Sequence, residues 1–282
     1  MKPKLKGVII AFIIVIILAG AAALIFHQIS IKKENAAEAE YLKKNLPPYS
    51  SINIISDFKE KDNNTLTAFK EAVREGADIV TLDLCFNDAG DPMICSDYSK
   101  ITDNTLPLSE LFIVMNTDEY KNIRLNLRLR QLGSLESFNK LVSENDMSGR
   151  IILSGIDKER YGIIHGDKIA ADLFYYYKPQ KETEKSTEEI SRLIADYGIE
   201  GVIIEYKDIS AELAESLNNT GISFIVGGIN KKSDMFKAVD MGISLIQTQN
   251  TAQLKEIYTK WKEATVSNID EEINKILQQK NG

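Results

Sequence analysis

Four acidic residues stand at or just after the ends of predicted strands, and they are the first candidates for chemistry. They are Asp57, Asp83, Asp97 and Glu205. A carboxylate can accept a proton, donate one when its pKa is raised, or bind a divalent cation. Because the active face of a parallel barrel lies at the carboxyl ends of its strands, these side chains are expected to face a common site.

Histidine, the side chain that most often moves protons near neutral pH, is nearly absent. The chain has 2 histidines, His27 and His165. His27 follows the apolar N-terminal segment, and His165 falls between a predicted helix and the next strand, on the face opposite to the strand ends. Neither position fits an acid or base, and both are interpreted as surface residues.

The 2 cysteines, Cys85 and Cys95, lie on opposite arms of a predicted hairpin. A disulfide between the arms is one interpretation if the domain is extracellular. Two buried thiols that behave as small apolar side chains are the other interpretation.

Strands alternate with helices along the chain, which is typical of a parallel sheet covered by helices. The predicted strands are Ile52–Ser56, Ile79–Leu84, Ile123–Arg130, Arg150–Ser154, Lys168–Leu173, Gly201–Tyr206, Ile222–Val226 and Ile243–Gln247. The predicted helices are Thr65–Glu75, Leu108–Met115, Leu135–Glu144, Lys158–Ile164, Thr187–Tyr197, Ala211–Asn218 and Ser233–Met241. Eight strands over about 200 residues favour a (β/α)8 barrel over an open doubly wound sheet. Asp91–Asp97 follows its neighbour too closely for a helical crossover, so it is predicted to be the return arm of a hairpin.

An uncharged apolar run, Gly7–Phe26, precedes this domain. Its roughly 20 residues can span about 30 Å of hydrocarbon as a helix. Because Lys2, Lys4 and Lys6 come before it, the positive-inside rule places the N-terminus in the cytoplasm and the rest outside the cell. A cleaved signal peptide is the alternative, since residues 19–23 are all small.

The predicted organisation therefore has five parts. They are a cytoplasmic tail (1–6), a single transmembrane helix (7–26), a stalk (27–48), a barrel (49–265) and a C-terminal helix or tail (266–282). The net charge of -7 argues against a nucleic-acid partner, which a basic surface would favour.

Several short blocks follow a known pattern in order and spacing. Asn64-Thr65-Leu66, Gly76-Ala77-Asp78 and Leu82-Asp83 resemble the glycerophosphodiester phosphodiesterase family, whose pattern runs P-E-N-T-L-x-A-F, G-A-D, E-L-D-V and D-G-x-P-V-x-x-H-D. A weaker likeness continues through Leu125–Arg130 (I-N-I-E-I-K) and Gly242–Gln249 (G-V-D-G-I-I-T-D). The resemblance covers about Ile52 to Leu254 and implies a TIM barrel of the phospholipase-C-like phosphodiesterase type.

The resemblance also implies a calcium or magnesium site. In that family the two acids of E-L-D and the Glu of E-I-K hold the cation. Here the first acid is replaced by Thr81, the second is kept as Asp83, and the third is replaced by Arg128. The lysine that follows is Arg130. One carboxylate does not replace three for a hard cation that takes several oxygen ligands, so Asp83 is interpreted as a relic and no cofactor is expected.

The two histidines of the family pattern, its general acid and base, are also replaced. The first falls at Ser56, with Asp57 in place of the neighbouring arginine, and the second falls at Ser96. The chain is therefore predicted to be a non-hydrolytic member of the family type. A working phosphoric diester hydrolase with rearranged acids, and with calcium or magnesium, is the alternative.

Two arginines carry the remaining predictions. Arg128, or Arg130 if the register differs by two residues, is expected to pair with Asp83 inside the barrel mouth; the alternative is that both face solvent. Together with Asn64 they are the candidate binding residues for a phosphate group, since Arg suits bidentate phosphate contacts. The resemblance implies a glycerophosphate polymer of the envelope or a lipid headgroup as ligand, and a purely structural or partner-binding role explains the same substitutions.

The aromatic run Phe174-Tyr175-Tyr176-Tyr177 is predicted to follow the fifth strand. It is interpreted either as a partly buried loop on the rim or as the lining of a ligand pocket.

Overall fold

The structure is a computed structural model that describes residues 52–57, 64–131, 133, 135–164 and 169–263. Within these ranges no helix is both long enough and apolar enough to cross a membrane. The predicted tail, transmembrane helix, stalk and C-terminal segment, as well as His27 and His165, lie outside the described residues.

Eight parallel strands close into a barrel. They are β1 (Asn53–Ser56), β2 (Ile79–Phe86), β4 (Arg124–Leu129), β5 (Ile151–Ile156), β6 (Asp172–Tyr176), β7 (Gly201–Glu205), β8 (Ser223–Gly227) and β9 (Leu245–Thr248). The barrel is closed because β1 pairs with both β2 and β9. All residues of β2 are buried, as expected for a strand between the barrel interior and the outer helices. The predicted barrel is confirmed.

Helices connect the strands. They are α1 (Leu66–Arg74), α2 (Leu108–Met115), α3 (Leu135–Glu144), α4 (Lys158–Ile164), α5 (Thr183–Tyr197), α6 (Ala211–Thr220) and α7 (Lys232–Asp240). Local sequence explains their ends: the Thr65 side chain caps α1 by accepting from the Ala68 amide, and Gly198 ends α5 with a left-handed φ of 63°. Residues 251–263 form a further helix that was not predicted, with Leu254, Ile257 and Trp261 buried at helical spacing.

The short strand β3 (Pro92–Ile94) runs antiparallel to the end of β2 and confirms the predicted hairpin. Asn87 and Asp91 close its turn, since the Asn87 side-chain oxygen accepts from the Asp91 amide at 2.8 Å. The hairpin extends β2 beyond the barrel rim, and it therefore stands beside the mouth.

The fifth strand lies later in the chain than predicted. β6 spans Asp172–Tyr176 rather than Lys168–Leu173, so the aromatic run starts inside the strand. Its first residue is held by an ion pair of 2.6 Å between Asp172 and Arg124 of β4. Three consecutive aromatic residues suit a strand, whereas the alanines before them do not. The prediction of a rim loop is therefore wrong for Phe174, Tyr175 and Tyr176.

Two layers of inward-facing residues fill the barrel below its mouth. The lower layer is an apolar plug of Ile55, Ile79, Ile152, Phe174, Ile203, Ile225 and Leu245. Since side chains alternate along a strand, the residue two positions further on each of these strands faces inward as well. Those positions hold Asp57, Thr81, Ser154, Tyr176, Glu205, Gly227 and Gln247. The barrel interior thus changes from apolar to polar within one layer, at its carboxyl end.

Candidate functional site

Asp83 is the centre of the charged groups in the mouth. β2 and β4 pair in the register Asp83 to Arg128, which places the two side chains side by side. Arg128 Nε donates to Asp83 Oδ1 at 3.0 Å, and Arg130 Nε donates to the same oxygen at 2.7 Å. The predicted ion pair is confirmed, and both arginines take part in it.

Asn64 completes the environment of Asp83 from the loop before α1. Its Nδ2 donates to Asp83 Oδ2 at 3.0 Å, and its Oδ1 accepts from the Asp83 amide at 2.7 Å. Asn64 therefore fixes both the backbone and the carboxylate of Asp83. In this structure it is a positioning residue, and any contact of Asn64 with a phosphate group stays a prediction.

Asp57 joins the cluster at the end of β1. Arg128 Nη1 lies 3.2 Å from Asp57 Oδ1, so the Arg128 guanidinium joins two carboxylates. Asp57, Asp83, Arg128 and Arg130 together carry no net charge. Asp83 is almost completely buried, whereas 43% of the Arg130 side chain is exposed.

This donor set does not fit a divalent cation. The side chain that would be the third acid is a guanidinium, and it occupies one face of the only acid kept. The residue at the first acid position, Thr81, is buried and accepts from two amide groups. Among the described residues no group of three or more His, Cys, Asp or Glu is placed to hold a metal ion. A fixed positive charge beside Asp83 opposes a second cation there.

Ser56 and Ser96, which the sequence resemblance aligns with two histidines of the family pattern, have different surroundings. Ser56 ends β1 and is 2% exposed, and its hydroxyl makes no hydrogen bond with the described residues. Ser96 follows β3 and is half-buried, in the wall of an open groove of about 520 Å³ beside the N-terminus of α1. A serine hydroxyl titrates far above neutral pH, so neither supplies the acid or base that a histidine would.

Asp97 is committed to local structure. Its carboxylate accepts from the amide and from the hydroxyl of Ser99, both at 2.9 Å, and caps the short 3₁₀ turn Tyr98–Lys100. These hydrogen bonds from Ser99 lower the pKa of Asp97, which disfavours its use as a proton donor.

The cysteines beside the site are free thiols. The hairpin pairs Cys85 with Met93 and brings Cys95 opposite Asp83, so the two cysteines are diagonal rather than directly opposed. Cys85 Sγ instead donates to the Cys95 carbonyl at 3.1 Å. The pKa of the Cys85 thiol is raised to about 11, mainly by burial and to a smaller extent by the nearby Cys95 and Asp83. The structure therefore has two buried thiols at these positions rather than a disulfide between the hairpin arms.

A cavity of about 240 Å³ opens beside Arg128, at the carboxyl ends of β1 and of β4 to β9. Its wall includes Glu205 together with Asn126, Ser154, Tyr176 and Gln247. Of these five, Glu205 was predicted as a candidate acid and Tyr176 as part of a pocket lining. Asn126, Ser154 and Gln247 were missed, although each is a buried polar residue on a barrel strand.

Glu205 and Gln247 enter the cavity because two consecutive glycines leave room for them. A β-carbon on Gly227 would lie 3.2 Å from Gln247 Oε1, and one on Gly228 would lie 3.0 Å from Glu205 Oε2. Gly228 also has a φ of 79°, which disfavours other residues. The end of β8 is thus shaped to hold a carboxylate and an amide.

Comparison with solved structures finds the same fold. A glycerophosphodiester phosphodiesterase from Parabacteroides distasonis superposes with a TM-score of 0.56 at 15% identity, covering 75% of this chain and 98% of the other. One from Agrobacterium tumefaciens gives 0.56 at 12% identity, covering 74% and 99%. A phosphodiesterase from Oleispira antarctica, solved with the product sn-glycerol-3-phosphate, gives 0.54 at 14% identity, covering 74% and 97%. No family model matches the sequence. No curated protein sequence matches it either.

Proposed function

We propose that this protein is a non-hydrolytic barrel of the glycerophosphodiester phosphodiesterase type. The observation that carries the proposal is the contact of two guanidinium groups with one carboxylate oxygen, Asp83 Oδ1. A phosphodiester needs positive charge at its oxygens, a proton acceptor and a proton donor. In this mouth the positive charge is neutralised by Asp83 and Asp57, and serines stand where a proton-transferring side chain is needed.

The first test is hydrolysis. The full-length chain, assayed with glycerophosphocholine and with bis-(p-nitrophenyl) phosphate in calcium or in magnesium, is expected to give no turnover above buffer. The reason is that Arg128 opposes a cation at Asp83. The Asp83→Ala variant is the matched control and should give the same background rate. Metal-dependent turnover that this substitution abolishes would contradict the proposal and establish the alternative, an active phosphoric diester hydrolase.

A phosphate-binding role is the second part of the proposal. Arg130 donates its Nε–H to Asp83, but its side chain is 43% exposed on the rim, and its guanidinium has further N–H groups that can donate to a phosphate ester. The glycerol 3-phosphate held by the Oleispira phosphodiesterase makes that compound the natural probe. A glycerophosphate polymer and a lipid headgroup share this chemistry.

Titration of the full-length chain with glycerol 3-phosphate tests this role. Replacement Arg130→Gln is expected to weaken binding at least tenfold, because it removes the charge-assisted contact. Arg192→Gln, an exposed arginine on α5, is the control and should leave the affinity unchanged. Equal affinities of the wild-type chain and the Arg130→Gln variant would exclude the rim arginine as the phosphate site.

We also propose that residues 7–26 anchor the chain in the cell membrane, with the barrel outside the cell. The support is the uncharged apolar run and the lysines that precede it. Protease treatment of intact cells, followed by detection of the barrel, tests this placement: a barrel that survives until the cells are lysed contradicts it.

A further inference from the structure

The cavity beside Arg128 is lined by two residues with buried polar atoms that have no hydrogen-bond partner among the described residues. Thr81 Oγ1 accepts from Asn126 Nδ2 at 3.2 Å and from Gln247 Nε2 at 3.3 Å. Both amide groups therefore direct their nitrogens toward Thr81. Asn126 Oδ1 is then left buried without a hydrogen bond to the described residues. Such an oxygen is costly to bury unless something donates to it.

Ser154 adds a second buried polar group without a partner, a hydroxyl that can accept as well as donate. It lies in register with Arg128 on the neighbouring strand, and the residue is 0% exposed. Its hydroxyl also has no hydrogen-bond partner among the described residues. Ser154 and Asn126 both line the 240 Å³ cavity, so the two unpartnered groups belong to residues that border one space.

The charges on the cavity wall favour a cation. Asp57 and Arg128 pair with each other at 3.2 Å, whereas Glu205 forms no ion pair within the described part of the chain. The three charged side chains of the wall, Asp57, Arg128 and Glu205, sum to one negative charge. Burial raises the pKa of the Tyr176 phenol, and the charges of Glu205 and Asp208 raise it further, so Tyr176 remains a neutral donor beside Glu205.

We propose that this cavity binds a small primary ammonium compound, with Glu205 as its counter-ion and with Asn126 Oδ1 and Ser154 Oγ as acceptors. A primary ammonium has three N–H donors and one positive charge, which matches the three acceptors and the charge of the wall. A quaternary ammonium lacks the donors, and a phosphate would meet the carboxylates of Glu205 and Asp57. This inference goes beyond the proposed function, because it applies equally to an active or an inactive barrel.

The proposal is tested by calorimetric titration of the full-length chain at pH 7 with a matched pair of ligands. 3-Amino-1,2-propanediol and glycerol have the same number of heavy atoms, and an ammonium group in the first replaces a hydroxyl in the second. We expect the amine to bind at least tenfold more tightly than glycerol, since both can donate a hydrogen bond to Glu205 but only the amine brings a positive charge to its carboxylate. Choline is expected to bind no better than glycerol.

Substitutions of the cavity residues test whether the amine binds in this cavity. Glu205→Gln keeps the shape of the side chain and removes its charge, and it should weaken the amine at least tenfold while leaving glycerol unchanged. Ser154→Ala should weaken binding of the amine several-fold, and it provides a second test if the Glu205 variant folds poorly. Glu215→Gln, an exposed acid on α6, should have no effect. Equal affinities for amine and glycerol, an unchanged Glu205→Gln variant, or no amine binding up to about 50 mM would each overturn the proposal.

Discussion

Replacement of Asp83 by alanine is expected to destabilise the barrel by about 3 kcal/mol. The substitution leaves Arg128 and Arg130 facing each other without the carboxylate that both contact. It also removes the acceptor of the Asn64 side chain. We place the value at the lower end of the range for broken buried ion pairs, because Arg128 and Arg130 are 29% and 43% exposed and solvent screens them in part.

Denaturant unfolding of the full-length chain measures this effect. Asp118→Ala, which removes an acid that is 99% exposed, is the control and should change stability by less than about 0.5 kcal/mol. A double variant that also carries Arg130→Met should regain part of the loss, since it removes the Arg130 charge while Arg128 keeps its contact with Asp57 at 3.2 Å. A neutral or stabilised Asp83→Ala protein would contradict the assignment of Asp83 as the stabilising acceptor of two arginines.

The barrel itself could be predicted from the sequence because local sequence signals indicate most of its strands and helix ends. β2 is an apolar run that ends in a tight turn, and glycines such as Gly198 and Gly221 end helices with left-handed backbone. The bounds of β6 could not be predicted from such local signals. Its start is set by the long-range pair Asp172 to Arg124, and its inward residue Phe174 depends on space left by Gly201 of the next strand.

The ion pair in the mouth could be predicted because neighbouring strands fix it. Asp83 and Arg128 occupy matched blocks on β2 and β4, and their register places them together. The sequence did not indicate that Arg130 and Arg128 would contact the same oxygen, nor that Asp57 would join Arg128 from β1. Those contacts depend on how three strands converge when the barrel closes.

The cavity was missed for a different reason. Asn126, Ser154 and Gln247 are buried polar residues, and two of them, Ser154 and Gln247, could have been recognised as inward by counting two positions from the plug residues Ile152 and Leu245. That count requires knowing which alternate positions face the interior, and the buried strands of a parallel barrel are apolar on both faces. The Asn126 side-chain oxygen lacks a donor because the Asn126 and Gln247 amide groups both donate to Thr81. The sequence of any single strand does not indicate this arrangement.

Replacement of Gly201 by alanine is expected to destabilise the protein by about 3 kcal/mol, and it tests the plug that supports the cavity. A β-carbon at Gly201 would overlap the carbonyl oxygen of Ser223 on β8 and would lie 2.6 Å from Phe174 Cε1. The ring can move only into the neighbouring plug residues, and the carbonyl belongs to a paired strand. Both strained contacts therefore persist.

Two further variants separate the contributions to that loss. Gly201→Ala combined with Phe174→Leu relieves the ring contact but not the carbonyl contact, so it should restore only part of the stability relative to Phe174→Leu alone. Gly198→Ala isolates the cost of a left-handed backbone, because no atom lies within 4 Å of a new β-carbon there. Its loss of stability should be smaller, about 1 kcal/mol. A Gly201→Ala protein as stable as wild type would mean that β7 and β8 are not held in this register. Phe174 would then not support the polar layer, and the placement of Glu205 in the cavity would fail with it.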